Sequence, residues 1–67
     1  MNGVFNSAMG ADHTWLEPGQ FVRHPAQPDW GLGQVQSVVG PRVTVTFENA
    51  GKVLVNTDII RLDVVEA

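Results

Sequence analysis

Residues 42–48 read Arg-Val-Thr-Val-Thr-Phe-Glu. Val43, Val45 and Phe47 recur at every second position, with Arg42, Thr44, Thr46 and Glu48 between them. A period of two, rich in β-branched residues, is the pattern of a strand with one face buried. No stretch after Pro18 carries an apolar stripe of helical period over ten residues. The chain is therefore committed to a sheet, and its 67 residues leave room for one small domain.

Punctuation around this strand places its neighbours. Pro18-Gly19 has turn chemistry, since proline presets φ at the second turn position and glycine accepts positive φ at the third. A strand is expected over 20–24, stopped by Pro25, which has no N–H for a ladder. Ala26 to Leu32 reads as a loop, 33–39 as a second strand, and Gly40-Pro41 as a break. After the 42–48 strand, Asn49-Ala50-Gly51 is a short turn and 52–55 a fourth strand, with Glu48 and Lys52 placed to pair across that turn. Asn56-Thr57-Asp58 is expected to form a turn capped by Asn56 or Thr57, before a last strand over about 60–64. Five short strands with tight connections favour a small all-β barrel over an open sheet, because curling hides both edges. The expected interior is Phe21, Val22, Val35, Val43, Val45, Phe47, Leu54, Ile60 and Leu62. At this size burial barely exceeds the entropy of ordering, so modest stability is expected, aided by a partner or weak self-association.

Residues 1–16 lack sustained periodicity and read as a flexible tail from which Trp15 and Leu16 can dock on the core; the barrel is assigned to 17–67. Net charge is −3, with four Lys and Arg against seven Asp and Glu, which argues against a generic nucleic-acid binder that needs a cationic footprint. Residues 17–67 alone give four minus six, or −2. Cysteine is absent, so there are no disulfides and no thiolate metal sites. No apolar run approaches the ~18 residues of a membrane span. The first twenty residues carry no Lys or Arg and no continuous apolar stretch, against a secretory signal. A cytoplasmic chain without a membrane partner is the expectation.

The order of short motifs carries a resemblance. Val22-Arg23-His24-Pro25 is followed by Trp30-Gly31-Leu32-Gly33-Gln34-Val35, then by Val43-Thr44-Val45-Thr46-Phe47, then by Gly51-Lys52-Val53-Leu54, with Arg61-Leu62 closing. Over about residues 19–62 this resembles a short family of uncharacterised bacterial proteins and the C-terminal Tudor-like domain of UvrD/PcrA-type DNA repair helicases. The resemblance implies a five-stranded SH3-like barrel. The helicase domain is a contact surface for RNA polymerase, and CarD-type transcription factors use a related barrel for the same partner. A small interaction module docking on the transcription machinery is thus implied, while no motor activity carries over. Ala26-Gln27-Pro28-Asp29 makes the loop after His24 longer than in the helicase domain.

Trp30, between a loop and two glycines, reads as an exposed anchor for a partner and as a lid on the barrel end, two roles that are compatible. His24 is expected to hydrogen-bond within the loop that also holds Asp29; a metal site needs three or four ligands, and the chain has two His, one in the tail. Arg23, Arg42 and Lys52 form a positive patch if they share one outer wall, fit for acidic protein surface or phosphates. No nucleophile–base pair or paired carboxylate stands out, and Gly31-Leu32-Gly33 precedes a strand, where a phosphate loop would open a helix. A methyl-lysine cage needs converging aromatics, and five aromatics with no Tyr do not supply them. The expected function is a non-enzymatic module without cofactor or metal, binding protein through its outer β surface, at an edge near the second and third strands together with Trp30, with RNA polymerase as first partner. A nucleic-acid-binding barrel is the alternative.

Overall fold

The computed structural model describes residues 16–66. The flexible tail expected over 1–16 lies, save for Leu16, outside them. The described chain forms β1 (Phe21–Arg23), a 3₁₀ turn (Pro28–Trp30), β2 (Gly33–Val39), β3 (Arg42–Phe47), β4 (Gly51–Asn56) and β5 (Asp63–Val65). All pairings are antiparallel, in the spatial order β4-β3-β2-β1-β5. The all-β, five-stranded fold expected from the alternation is thus the one observed. Four ladders join the strands, and none joins β4 to β5 among the described residues.

One face of the sheet makes the core. Val43, Val45 and Phe47 are buried, as their period requires. Opposite them on β4, Val43 faces Val55 and Val45 faces Val53, so the valines of β4 turn inward. Leu54 faces Thr44 on the outer side and is 65% exposed. The expectation that Leu54 is core is therefore corrected: the ladder with β3, not side-chain size, sets the phase of β4. Phe21 is corrected likewise. Val22 is fully buried opposite Gly33, which turns Phe21 outward beside Gln34 and Val65. Leu16 completes the core with Val22, Val35, Val55 and Leu62.

A β-bulge adds a residue in β2. Val35 pairs with Val45, but Ser37 pairs with Thr44, so Gln36 is the extra residue. A regular strand would send Ser37 inward with Val35. The bulge instead brings Val38 to the inner face opposite Val43, where it packs on the core.

The last strand begins later than its sequence suggests. Asn56 holds the turn before it: its side-chain Oδ1 accepts from the Asp58 N–H at 2.9 Å, and its carbonyl accepts from the Ile59 and Ile60 N–H groups. Thr57 ties this turn to the β2–β3 hairpin, donating both N–H and Oγ1–H to the Pro41 carbonyl. With its N–H spent on the turn, Ile60 is not in a ladder; it packs half-buried on the core while Leu62 is buried. Pairing resumes only at Asp63.

The phase of β4 is open to a direct check. Val55→Ala is expected to cost about 1.5–3 kcal/mol in urea unfolding, and Leu54→Ala within about 0.5 kcal/mol of zero. The reverse order of the two losses would contradict the pairing.

Candidate functional site

The Trp30-Gly31-Leu32-Gly33 segment is fastened to the β3–β4 hairpin by both backbone and side chains. The Glu48 N–H donates to the Leu32 carbonyl at 2.9 Å, and the Asn49 N–H to the Trp30 carbonyl at 3.0 Å. In return the Leu32 N–H donates to the Glu48 carboxylate at 3.0 Å, while the Asn49 amide donates to the Asp29 carbonyl at 3.0 Å. Glu48 thus serves the loop, and its expected ion pair with Lys52 is not formed. Sequence spacing placed Glu48 and Lys52 as neighbours across a turn, but nothing local disclosed an acceptor role sixteen residues away.

Both glycines of the segment are needed, for different reasons. Gly31 has φ +78°, and a Cβ there would lie 2.7 Å from Glu48 Oε1. Gly33 is ordinary strand backbone, but a Cβ on it would lie 2.6 Å from Val45 Cγ1 and 2.7 Å from the Phe47 ring. Gly31 thus turns the chain, and Gly33 makes room for Phe47.

That room organises three rings. Trp30 meets Phe47 edge-on at a centroid distance of 5.2 Å, and His24 meets Trp30 edge-on at 4.9 Å. His24 is 6% exposed and is the buried polar residue among the described ones. Its Nδ1 accepts from the Ala26 N–H at 3.2 Å, which in the neutral ring leaves the proton on Nε2. Trp30 is half-buried and packs on the core. Of its two readings the lid describes this placement, and the loop is where His24 makes its hydrogen bond, as expected. No group of three or more His, Asp or Glu side chains comes together among the described residues.

The outer face is where the remaining candidates lie. Arg23, Arg42 and Lys52 are exposed, and each neighbours an inward-facing valine, so all three point outward. They share a wall but are not a tight cluster. Arg23 and Lys52 stand three strands apart, about 14 Å at a strand spacing of ~4.8 Å. Arg42 lies four residues along β3 from Thr46, the partner of Lys52, at a similar distance. Arg61, on the segment before β5, approaches Asp63 at 3.6 Å. An open groove of about 370 Å³ crosses this face, lined by Phe21, Leu32, Gln34, Thr46, Phe47 and Glu48.

A family described as a protein of unknown function (DUF3553) matches residues 16–65. The chain belongs to that family. The match begins at Leu16, the first described residue and a member of the core, and ends at the last residue of β5. No curated protein and no solved structure matches the chain significantly. Within DUF3553 the chain is a small all-β protein, and no described helix is long and apolar enough to cross a membrane.

The clasp gives two expectations. Gly33→Ala must push the Phe47 ring or Val45 aside, costing about 1–3 kcal/mol in thermal or urea unfolding. Glu48→Ala removes the acceptor for the Leu32 N–H and is expected to speed hydrogen exchange at that amide several-fold, while Glu48→Gln, which keeps an acceptor oxygen, restores most of the protection. Unchanged Leu32 exchange in Glu48→Ala would mean that the clasp carries no stability.

Proposed function

We propose that the protein is a non-enzymatic docking module that binds a protein partner through the outer face of its sheet. The observation that carries this reading is the distribution of charge. Strands β1 to β4 contain Arg23, Arg42 and Lys52 and no carboxylate, although the whole chain has net charge −3. Phe21 and Leu54 lie exposed on the same face. The interior offers nothing comparable, being filled by Val22, Val35, Val43, Val45, Val55 and Phe47. Function on this reading belongs to the outside.

The partner to test first is RNA polymerase, on the strength of the motif order shared with the Tudor-like domain of UvrD/PcrA-type helicases and the SH3-like barrel this implies. An edge at β2 and β3 is not available for docking, since each of these strands is paired on both sides. A cytoplasmic setting follows from such a partner.

The outward cations also favour a second reading, a nucleic-acid-binding barrel. It is the weaker of the two. Of the described aromatics Trp30 and Phe47 are engaged with each other, which leaves Phe21 alone as a stacking surface.

Affinity capture with the tagged full chain decides between them. Polymerase subunits are expected to be retained with and without nuclease, and Arg42→Glu with Lys52→Glu is expected to reduce recovery at least tenfold. Recovery abolished by nuclease, with a steep salt dependence in direct DNA or RNA titration, would transfer the assignment to nucleic acid. No polymerase recovery in either condition would remove the first partner.

A further inference from the structure

The edges of the sheet differ in a way that points to one occupant. Among the described residues β4 is paired only with β3, and no backbone hydrogen bond outside that ladder involves Gly51–Val55. An open strand of six residues presents a row of free N–H and C=O groups, the template for strand addition. The other edge, β5, has three residues and begins with Asp63, with Glu66 just beyond it. Length and charge both favour β4.

The side chains of β4 define what fits beside them. Outward, the edge offers Lys52, Leu54 and Asn56 in sequence, with Leu54 65% exposed. Arg42, directly opposite Asn56 on β3, adds a second cation to this corner. Inward, Val53 is only half covered where Val55 is buried, so the core still has apolar surface to extend at that edge. No carboxylate lies on β3 or β4; Asp58 is in the turn beyond Asn56, and Glu48 is committed to the Leu32 N–H.

We propose that the β4 edge binds an extended, acidic segment of the partner protein as a sixth strand. This rests on the docking reading above and names the surface and the chemistry of its partner. In the added strand an Asp or Glu stands opposite Lys52, an apolar residue opposite Leu54 and a polar residue opposite Asn56, at alternate positions. Apolar β-branched residues between them continue the core beside Val53. The backbone ladder supplies affinity, and the acid–Lys52 and apolar–Leu54 pairs supply selectivity. A nucleic acid would leave the free amide row unpaired.

The test is selection from a displayed library of random nonapeptides against the full chain, followed by amide hydrogen exchange with the enriched peptides. Enrichment of alternating apolar residues with Asp or Glu at the position opposite Lys52 is expected, together with at least fivefold added protection of amides within 52–56. Lys52→Glu, an exposed substitution outside the core, is expected to invert the preference to Lys or Arg at that position. Three results would each overturn the proposal: no acidic enrichment, protection falling on β1 or β5, or protection of β4 that grows with protein concentration without peptide, which would make the occupant a second copy of this chain. Polymerase takes no part in these measurements. Failure here leaves the docking reading intact, and failure to capture polymerase leaves the β4 edge intact.

Discussion

The ring of Phe47 occupies the space that a side chain on Gly33 would fill, and much of the molecule is arranged around that contact. Phe47 is the last residue of β3 and stands directly opposite Gly33, the first residue of β2. Because the ring lies down over bare backbone there, Trp30 can close over its edge and His24 can close over Trp30 in turn. Trp30 then brings its own loop against the β3–β4 hairpin, where Glu48 and Asn49 take up the loop's backbone groups. Aromatic edge contacts of this kind contribute about 0.5–1.5 kcal/mol beyond area burial. The larger consequence is positional: a loop of seven residues, Ala26 to Leu32, is fixed to the end of the sheet by these contacts in a chain that has no cysteine.

Elements with unambiguous alternation were legible in the sequence. For β3 the period of two fixes the inner face without further information, and β2 and the turns at Pro18-Gly19 and Asn56 follow from local chemistry. The Pro18-Gly19 turn closes by donation of the Gln20 N–H to the Glu17 carbonyl, with Gly19 at φ +96°. Where the sequence is apolar at consecutive positions it has no phase of its own. Val53-Leu54-Val55 can put either the valines or the leucine inside, and only the ladder with Val45 and Val43 decides. Phe21-Val22 poses the same choice, decided by the register with β2, which pairs Val22 with Gly33 and Phe21 with Gln34 and leaves Phe21 the outer face.

The bulge at Gln36 and the delayed start of β5 belong to a second class, in which a distant partner redirects the chain. Nothing in Gln34-Val35-Gln36-Ser37-Val38 marks the extra residue, since either register leaves a polar residue outside. It becomes determinate only because Val38 gains the inner face opposite Val43. In the same way Ile60-Arg61-Leu62 alternates like a strand, yet the Asn56 turn, braced against Pro41, takes the N–H groups that a strand would offer. Both are cases of tertiary context overriding a local pattern. Of the candidate site, the alternation of β3 puts Arg42 outside, whereas the sides of Arg23 and Lys52 follow only from the ladders, as do the neighbours that hold Trp30.

Charge and fold are linked by this same geometry. Every described carboxylate lies outside β1 to β4: Glu17, Asp29, Glu48 and Asp58 in connections, Asp63 on β5 and Glu66 after it. A strand in the middle of a small curled sheet has one inner and one outer face, so any charge placed on it must point outward. Four strand positions carry such charges: Arg23, Arg42 and Lys52 on β1, β3 and β4, and Asp63 on β5 opposite Arg23. A net charge of −3 therefore coexists with three outward cations on β1 to β4, one of which, Arg23, has Asp63 opposite it. Glu48 and Asp58 lie in the connections at the two ends of β4, while Lys52 on β4 and Arg42 opposite Asn56 on β3 stand on its outward side. Long-range fields of this kind act on encounter more than on final affinity. In the proposed complex, the unpaired backbone of β4 is the element that would turn a weakly steered encounter into a hydrogen-bonded one.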